Sequence, residues 1–333
     1  MRVLYIHDTT SKVRYRREVL RELLEADRRF LVENVCNPST YEEMEGLYTK
    51  LESDAYDIVL ASNPFWLDGT NGRAVAGIAS KPGRLMAYDL SDNWEAGENS
   101  VRLMRLSDFV GASSRYLEGL ARMHCPNVGL YPNGVRCKSV VPDNSFTTTS
   151  RYVYSGQLRK LDLEALDRLM AIDPDGEADI YAIDHEENGE AYRELMGERC
   201  HVMPAIPYDM LMASLHAYRY GLAFFFPVSQ TMQGMLPDKY FDYCQAGIPT
   251  LFSNCGELAH EDFRKTAFDI NACGFSLDGV APAGEDFKAV CDAYNMERSL
   301  KRFINDMALV YADKDRKRAV EKTWTVPWEE KDG

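Results

Sequence analysis

The feature that most constrains this fold is an alternation of short apolar segments with amphipathic helical segments, which occurs twice along the chain. Short apolar runs bounded by turn residues suit strands buried on both faces, and the segments between them carry apolar side chains at helical spacing. Strands that alternate with helices form parallel sheets covered on both faces. The sequence therefore predicts an α/β protein with two doubly wound, Rossmann-like sheets. The predicted strands are 3–6, 30–35, 58–61, 84–88 and 108–112 in the first half, and 151–154, 180–183, 201–203, 222–226 and 248–252 in the second.

A break in this alternation separates the two halves. Residues 132–150 begin with a Pro-Asn-Gly turn and continue into a polar stretch rich in serine and threonine, which is typical of a hinge. We therefore expect one domain over residues 1–147 and a second over 148–312. The last helices are predicted at roughly 286–312 and 314–323.

One helix of the second half carries residues that suggest chemistry. Pro237 suits the start of a helix and Gly247 its end, which leaves a helix over 238–246 between two apolar strands. Such a helix begins at the carboxyl edge of a parallel sheet, where its free N–H groups favour a phosphate. Lys239 adds a positive charge in the first turn, and Asp242 lies on the same face, where it could accept two ribose hydroxyls. Together these features describe a nucleoside-diphosphate site.

The pattern Pro-x-Lys-Tyr-Phe-Asp-Tyr-x-x-x-Gly-x-Pro, residues 237–249, resembles the donor-site signature of bacterial-type GT-B glycosyltransferases. Four further segments resemble parts of the same family in the expected order. They are 107–114 with the turn 131–135, the strand and turn 154–160, the loop 202–211, and Trp324 near the end.

The resemblance implies a GT-B fold, with two Rossmann-like domains facing each other across a cleft, and a tail, 313–333, that packs back on the N-terminal, acceptor-side domain. It also implies a hexosyltransferase that moves a sugar from a nucleotide-diphosphate donor to an acceptor hydroxyl. Fixed cations and N–H groups would stabilise the departing phosphate, so we expect no metal ion and no cofactor besides the donor. The residues expected to bind the donor are Gly156, Arg159, Lys160, Tyr208, Lys239 and Asp242.

The acceptor is expected over the carboxyl ends of the first-domain strands. Asp92 and Asp8 follow such strands, and they are the candidate catalytic bases if the reaction inverts the sugar configuration. A retaining reaction needs no base there, because the departing phosphate can accept the proton. His7, Asn63 and Asp89 follow strands at the same edge, and a helix-cap or turn role is an open alternative for both Asp89 and Asp92.

Two departures from the family pattern keep other functions open. Many retaining members carry a carboxylate eight residues before the position of Asp242, where this chain has Gly234, and Asp242 stands where glutamate is usual. The alternatives are a nucleotide-sugar epimerase of the same layout and a non-catalytic nucleotide- or glycan-binding protein. The Asp173-Pro-Asp175 sequence matches the Asp-x-Asp pattern of metal-dependent enzymes, but it follows a predicted helix and is expected to form an ordinary turn.

Charge and composition limit the partners. A net charge of −14 argues against nucleic acid, and the eight cysteines are not at metal-ligand or redox spacing. The N-terminus is predicted to be a strand rather than a signal peptide, and no apolar run is long enough to span a membrane, so we expect a cytoplasmic protein. The segment 12–29 contains six arginines, which favour either a solvated helix face or peripheral contact with an anionic membrane surface.

Overall fold

The computed structural model describes residues 1–7, 15–36, 40–53, 55–62, 81, 83–91, 98–136, 143, 145–227 and 234–324. The chain forms two compact units, and each contains one six-stranded parallel sheet. The first unit takes its residues from 1–113, 117–131 and 300–333, and the second from 114–116 and 132–299. The predicted fold class, α/β with two doubly wound sheets, is confirmed.

The first sheet has the strand order β2-β1-β3-β4-β5-β6, which reverses between β1 and β3. Leu4, Val59, Met86 and Val110 on its central strands are buried in one apolar core. The strands are β1 (Arg2–His7), β2 (Leu31–Cys36), β3 (Ile58–Ser62), β4 (Leu85–Leu90), β5 (Phe109–Ala112) and β6 (Val128–Leu130), and the helices along this part of the chain are α1 (Tyr15–Ala26), α2 (Tyr41–Glu52), α3 (Glu98–Leu106) and α4 (Arg115–Arg122).

The second sheet is formed by β7 (Tyr152–Gly156), β8 (Ala178–Ala182), β9 (Cys200–Pro204), β10 (Tyr220–Phe224), β11 (Thr250–Ser253) and β12 (Ala267–Asp269). Its helices are α5 (Leu163–Ile172), α6 (His185–Met196), α7 (Tyr208–Ser214), α8 (Asp238–Ala246) and α9 (Gly284–Ala293). The strand order is β12-β11-β10-β7-β8-β9, so the direction of winding reverses between β7 and β10. Ligands of doubly wound sheets bind at the carboxyl ends of the strands beside such a reversal.

The C-terminal helix differs from the sequence expectation. Two helices are present here, α9 and α10 (Met296–Trp324), but the break between them lies near residue 295 and not at the predicted position, 313, which is inside α10. Helix α10 contains neither glycine nor proline. The break before it lies at Tyr294 and Asn295, because Asn295 pairs with Val135 in a parallel β-bridge. Within the described residues, no helix is both long enough and apolar enough to cross a bilayer.

The two units divide at residues 131 and 132, whereas the sequence placed the division at 147 and 148. The Pro-Asn-Gly-Val turn is attached to the second unit by specific bonds. Asn133 Nδ2 donates to Leu236 O at 3.2 Å, and Val135 is buried in a core with Tyr240 and Phe241. Asn133 and Val135, which look like part of a linker in sequence, are therefore structural parts of the second unit.

Candidate functional site

Helix α8 spans Asp238–Ala246, as the sequence predicts. Pro237 takes the N-cap position with extended backbone (φ −74°, ψ 135°), and no side chain caps the helix N-terminus. Gly247 ends the helix in the left-handed conformation (φ 73°), which a residue with a Cβ adopts at a cost. Because α8 connects the parallel strands β10 and β11, its N-terminus lies at the carboxyl edge of the sheet.

The aromatic residues of α8 fix the helix on the sheet. Tyr240, Phe241 and Tyr243 are buried, and Tyr240 packs edge-on against Phe263 with ring centroids 5.1 Å apart. Gly221 on β10 lets Tyr243 lie directly on the strand, since a Cβ there would overlap the Tyr243 ring. These side chains face the core, and Lys239 and Asp242 lie on the opposite face of the helix, where both are partly buried.

Lys239 lies where the winding of the sheet reverses. Its ammonium is 3.6 Å from the centroid of the Tyr154 ring on β7 and 5.2 Å from that of Phe225, which follows β10. Burial, together with the positive charge of Lys160, lowers the pKa of Lys239 to about 7, although Asp242 acts in the opposite direction. A cation beside aromatic faces and deficient in water is poised to gain from an anionic ligand.

The turn after β7 supplies the second wall of this site. Gly156 has a φ of 151°, and a Cβ there would lie 3.0 Å from Lys239 Nζ, so glycine permits the close approach. Leu158 N donates to Asp184 Oδ1 at 2.7 Å, and Lys160 O accepts from Phe226 N at 2.9 Å. These bonds hold the backbone of the turn across the ends of β8 and β10.

Asp242 is held from a different direction by Tyr208, the first residue of α7. The Tyr208 hydroxyl donates to Asp242 Oδ1 at 2.6 Å, and the Arg136 guanidinium lies over the Tyr208 ring, 4.4 Å from its centroid. Burial raises the pKa of Asp242 to about 6, while the Tyr208 hydrogen bond and the charges of Arg136 and Lys239 limit the rise. The carboxylate is thus oriented and largely ionised at neutral pH.

The structure brings Gly156, Lys160, Lys239, Tyr208 and Asp242 together at one edge of the second sheet. Arg159 lies on the same turn, but its side chain is exposed and its Nε donates to Gln157 Oε1 at 3.3 Å. Sequence reasoning missed Arg136. The only signal was its position directly after the Pro-Asn-Gly-Val turn, and spacing alone does not relate that turn to α8.

In the first unit, both candidate bases, Asp92 and Asp8, lie outside the described residues, as does Asn63. Asp89 is completely buried at the end of β4, where Arg16 donates to its Oδ1 from Nε at 3.0 Å and from Nη2 at 2.8 Å. Its other oxygen accepts from Ser62 Oγ at 2.9 Å. A carboxylate engaged in this way has a structural role. His7 is also buried, with its ring 4.8 Å from that of Tyr5.

The burial of Arg16, which pairs with Asp89, changes the interpretation of the arginine-rich segment 12–29. Arg16 and Arg17 are only 4% and 5% exposed, so two of the six arginines that suggested an anionic surface are inside the first unit. Arg29 pairs with Asp27 at 2.6 Å. The face that a membrane could meet is less basic than the sequence suggests.

Two features bear on the departures from the family pattern. A Cβ on Gly234 would overlap the side chain of Tyr116, so the position of the usual carboxylate is closed by an aromatic ring. Asp173 accepts from Arg151 at 2.7 Å and from the Tyr152 hydroxyl at 2.6 Å, at the start of β7 and therefore at the opposite end of that strand from Gly156. Among the described residues, no three His, Cys, Asp or Glu side chains are grouped to hold a metal ion.

The fold is similar to that of several solved proteins, among them a glycosyltransferase and a UDP-GlcNAc 2-epimerase. AviGT4, a glycosyltransferase involved in avilamycin A biosynthesis, matches with a TM-score of 0.57 at 14% identity, over 93% of this chain and 98% of its own. The UDP-GlcNAc 2-epimerase from Neisseria meningitidis, bound to UDP-GlcNAc, matches with a TM-score of 0.53 at 12% identity, over 92% of this chain and 100% of its own. S. aureus MnaA, solved with UDP, matches with a TM-score of 0.53 at 12% identity, over 91% of this chain and 95% of its own.

The sequence matches no protein-family model, and a comparison with curated proteins gives no match. The structural likeness therefore concerns the fold. The chain has the GT-B fold that glycosyltransferases and UDP-GlcNAc 2-epimerases share, as the sequence resemblance implied.

Proposed function

We propose that this protein is a glycosyltransferase that moves a hexose-type sugar from a nucleotide-diphosphate donor to an acceptor hydroxyl. The observation that carries the proposal is the presence of Lys239 and Asp242 on the same face of α8, beside the reversal of the second sheet. The ammonium and the helix N-terminus are suited to a diphosphate, and the carboxylate one turn further along is suited to a ribose diol. Structural neighbours solved with UDP and UDP-GlcNAc support a ligand of this class.

The proposed chemistry depends on neutralising the leaving group. When the sugar departs, negative charge develops on the diphosphate, and fixed donors stabilise it without rearrangement. Lys239 and Lys160 supply cations, with Arg159 on the same turn, while Tyr208 lies near the base. We propose that these groups are sufficient without a metal ion or a further cofactor. The acceptor is a glycan, a lipid-linked sugar, a protein or a small molecule, and Asp92 and Asp8 remain the proposed bases for an inverting reaction.

An activity assay separates the transferase from the epimerase. Purified protein is incubated with UDP-, GDP-, ADP- and dTDP-hexoses, with and without a pool of acceptors, and the nucleotide and sugar products are separated. A transferase releases the nucleoside diphosphate, and the release depends on acceptor. Conversion of the donor into an isomeric nucleotide sugar without acceptor would contradict the proposal.

The epimerase remains the second candidate because of a specific observation. The Neisseria meningitidis epimerase is covered along its whole chain with a TM-score of 0.53, close to the value for AviGT4. A third reading, a protein that binds nucleotide without chemistry, is supported by the Tyr116 ring at Gly234. Nucleotide binding without turnover in any donor–acceptor mixture would favour that reading.

A further inference from the structure

We propose that Arg136 is a positioning residue of the donor site, which keeps Asp242 oriented and ionised by way of Tyr208. The role in nucleotide affinity rests on the function proposed above, but the contact among the three residues belongs to the free protein. Each residue comes from a different segment: the turn after β6, the start of α7, and the second turn of α8.

The contacts form a continuous series. The Arg136 guanidinium stacks on the Tyr208 ring at 4.4 Å, and the Tyr208 hydroxyl donates to Asp242 Oδ1 at 2.6 Å. A guanidinium over the ring restricts the ring's rotation, and the oriented hydroxyl fixes one carboxylate oxygen. Because Tyr208 holds Oδ1, the direction of the other carboxylate oxygen is fixed as well. Recognition of a ribose diol requires acceptor oxygens with fixed directions.

The backbone just before Arg136 is anchored by two hydrogen bonds to one segment, residues 294–296. Val135 N donates to Tyr294 O at 2.8 Å, and Met296 N donates to Val135 O at 3.2 Å. Gly134 permits this approach, because a Cβ there would overlap the Tyr294 carbonyl. The Pro-Asn-Gly-Val turn therefore acts as a brace that places the next residue, Arg136, beside α8.

The charges around Asp242 give Arg136 a distinct role. Among the described residues, the groups that face the carboxylate are Arg136 and Tyr208 from other segments, and Lys239, Tyr243 and Cys244 from its own helix. Burial raises the pKa of both Tyr243 and Cys244, so they are neutral near pH 7. Lys239 has a pKa of about 7 and is only partly charged there. Arg136 adds a second positive charge beside Asp242, and its guanidinium lies over the ring of the tyrosine that holds the carboxylate.

The test compares Arg136→Met with the matched control Arg219→Met. Arg219 also stacks on a tyrosine, Tyr220, at 5.3 Å, but at the amino end of β10, away from the site. The carboxyl ¹³C signal of Asp242, identified by its loss in Asp242→Asn, is titrated in the ligand-free proteins. UDP affinity is then measured by calorimetry between pH 5 and 8.5.

We expect the Asp242 titration midpoint to rise by about one pH unit in Arg136→Met and to stay unchanged in Arg219→Met, with partial rescue by Arg136→Lys. The acidic limb of the UDP affinity profile should move by the same amount, while the alkaline limb, set by Lys239, stays in place. An unchanged midpoint in Arg136→Met would overturn the inference, and so would an equal loss of affinity at every pH. If wild-type protein does not bind UDP but the midpoint still shifts, the proposed nucleotide fails and the positioning role stands.

Discussion

Lys239 is expected to take up a proton when a nucleoside diphosphate binds. In the free protein, burial and the neighbouring Lys160 lower its pKa to about 7. A diphosphate beside the ammonium favours the charged form and raises that pKa, so binding at neutral pH shifts the lysine toward full protonation. The affinity should therefore be highest below the free pKa and decline as the pH rises through it.

The size of the effect follows from the two pKa values. With a pKa of about 7, Lys239 is neutral in roughly half of the molecules at pH 7. Asp242, with a pKa of about 6, is protonated in roughly a tenth of them, and it releases that proton if the ribose favours the carboxylate. The two residues together take up roughly 0.4 proton per UDP at pH 7, and they give the affinity profile a bell shape with a maximum between their pKa values.

The assay is calorimetric titration of UDP at pH 7 in buffers with different ionisation enthalpies. The slope of the observed enthalpy against the ionisation enthalpy gives the protons taken up. Lys239→Met should lower the uptake by roughly 0.5 proton, whereas Lys288→Met, which removes an exposed lysine paired with Asp292 at 3.0 Å, should not change it. Equal slopes for the wild-type protein and Lys239→Met would refute the reasoning, because they would mean that Lys239 does not change its protonation state when UDP binds.

Two further predictions concern stability. Gly234→Ala places a Cβ against Tyr116 and should lower the free energy of unfolding, measured by urea titration, by about 1–3 kcal/mol. The control, Gly46→Ala, lies in a helix with open space around it and should raise the free energy of unfolding by about 0.5–1 kcal/mol. Equal stability of the two variants would contradict the close packing at Gly234. Arg16→Met removes the cation that pairs with the buried Asp89 and should lower the free energy of unfolding at pH 7, measured in the same way, by about 3–5 kcal/mol. A loss below about 1 kcal/mol, which is typical of surface ion pairs, would show that the pair is solvated.

The overall architecture could be predicted because apolar periodicity determines which segments form strands. The helix at residues 238–246 could be predicted with its ends, since Pro237 and Gly247 have backbone preferences that act locally. The relative position of Lys239 and Asp242 could also be predicted, because both belong to one helix and helical geometry determines it.

The contacts made by distant segments could not be predicted from local patterns. Arg136 is more than a hundred residues from Asp242, and a bridge between Val135 and Asn295 brings it there. The contacts of Asn133 with Leu236, and of Val135 with Tyr240 and Phe241, are equally long in sequence, and they attach the Pro-Asn-Gly-Val turn to the second unit. The buried pair of Arg16 and Asp89 was equally invisible, because composition assigns charged residues to the surface.

The measurement that tests the central claim most directly is the affinity for UDP, with and without EDTA, of the wild-type protein, Lys239→Ala and Asp242→Asn. We expect saturable binding that is indifferent to EDTA. Lys239→Ala should weaken it by about 1.5–3 kcal/mol, roughly tenfold to a hundredfold, because a charge-assisted phosphate contact is lost, and Asp242→Asn should weaken it less. Unchanged affinity in both variants would contradict the assignment of α8 as the nucleotide site.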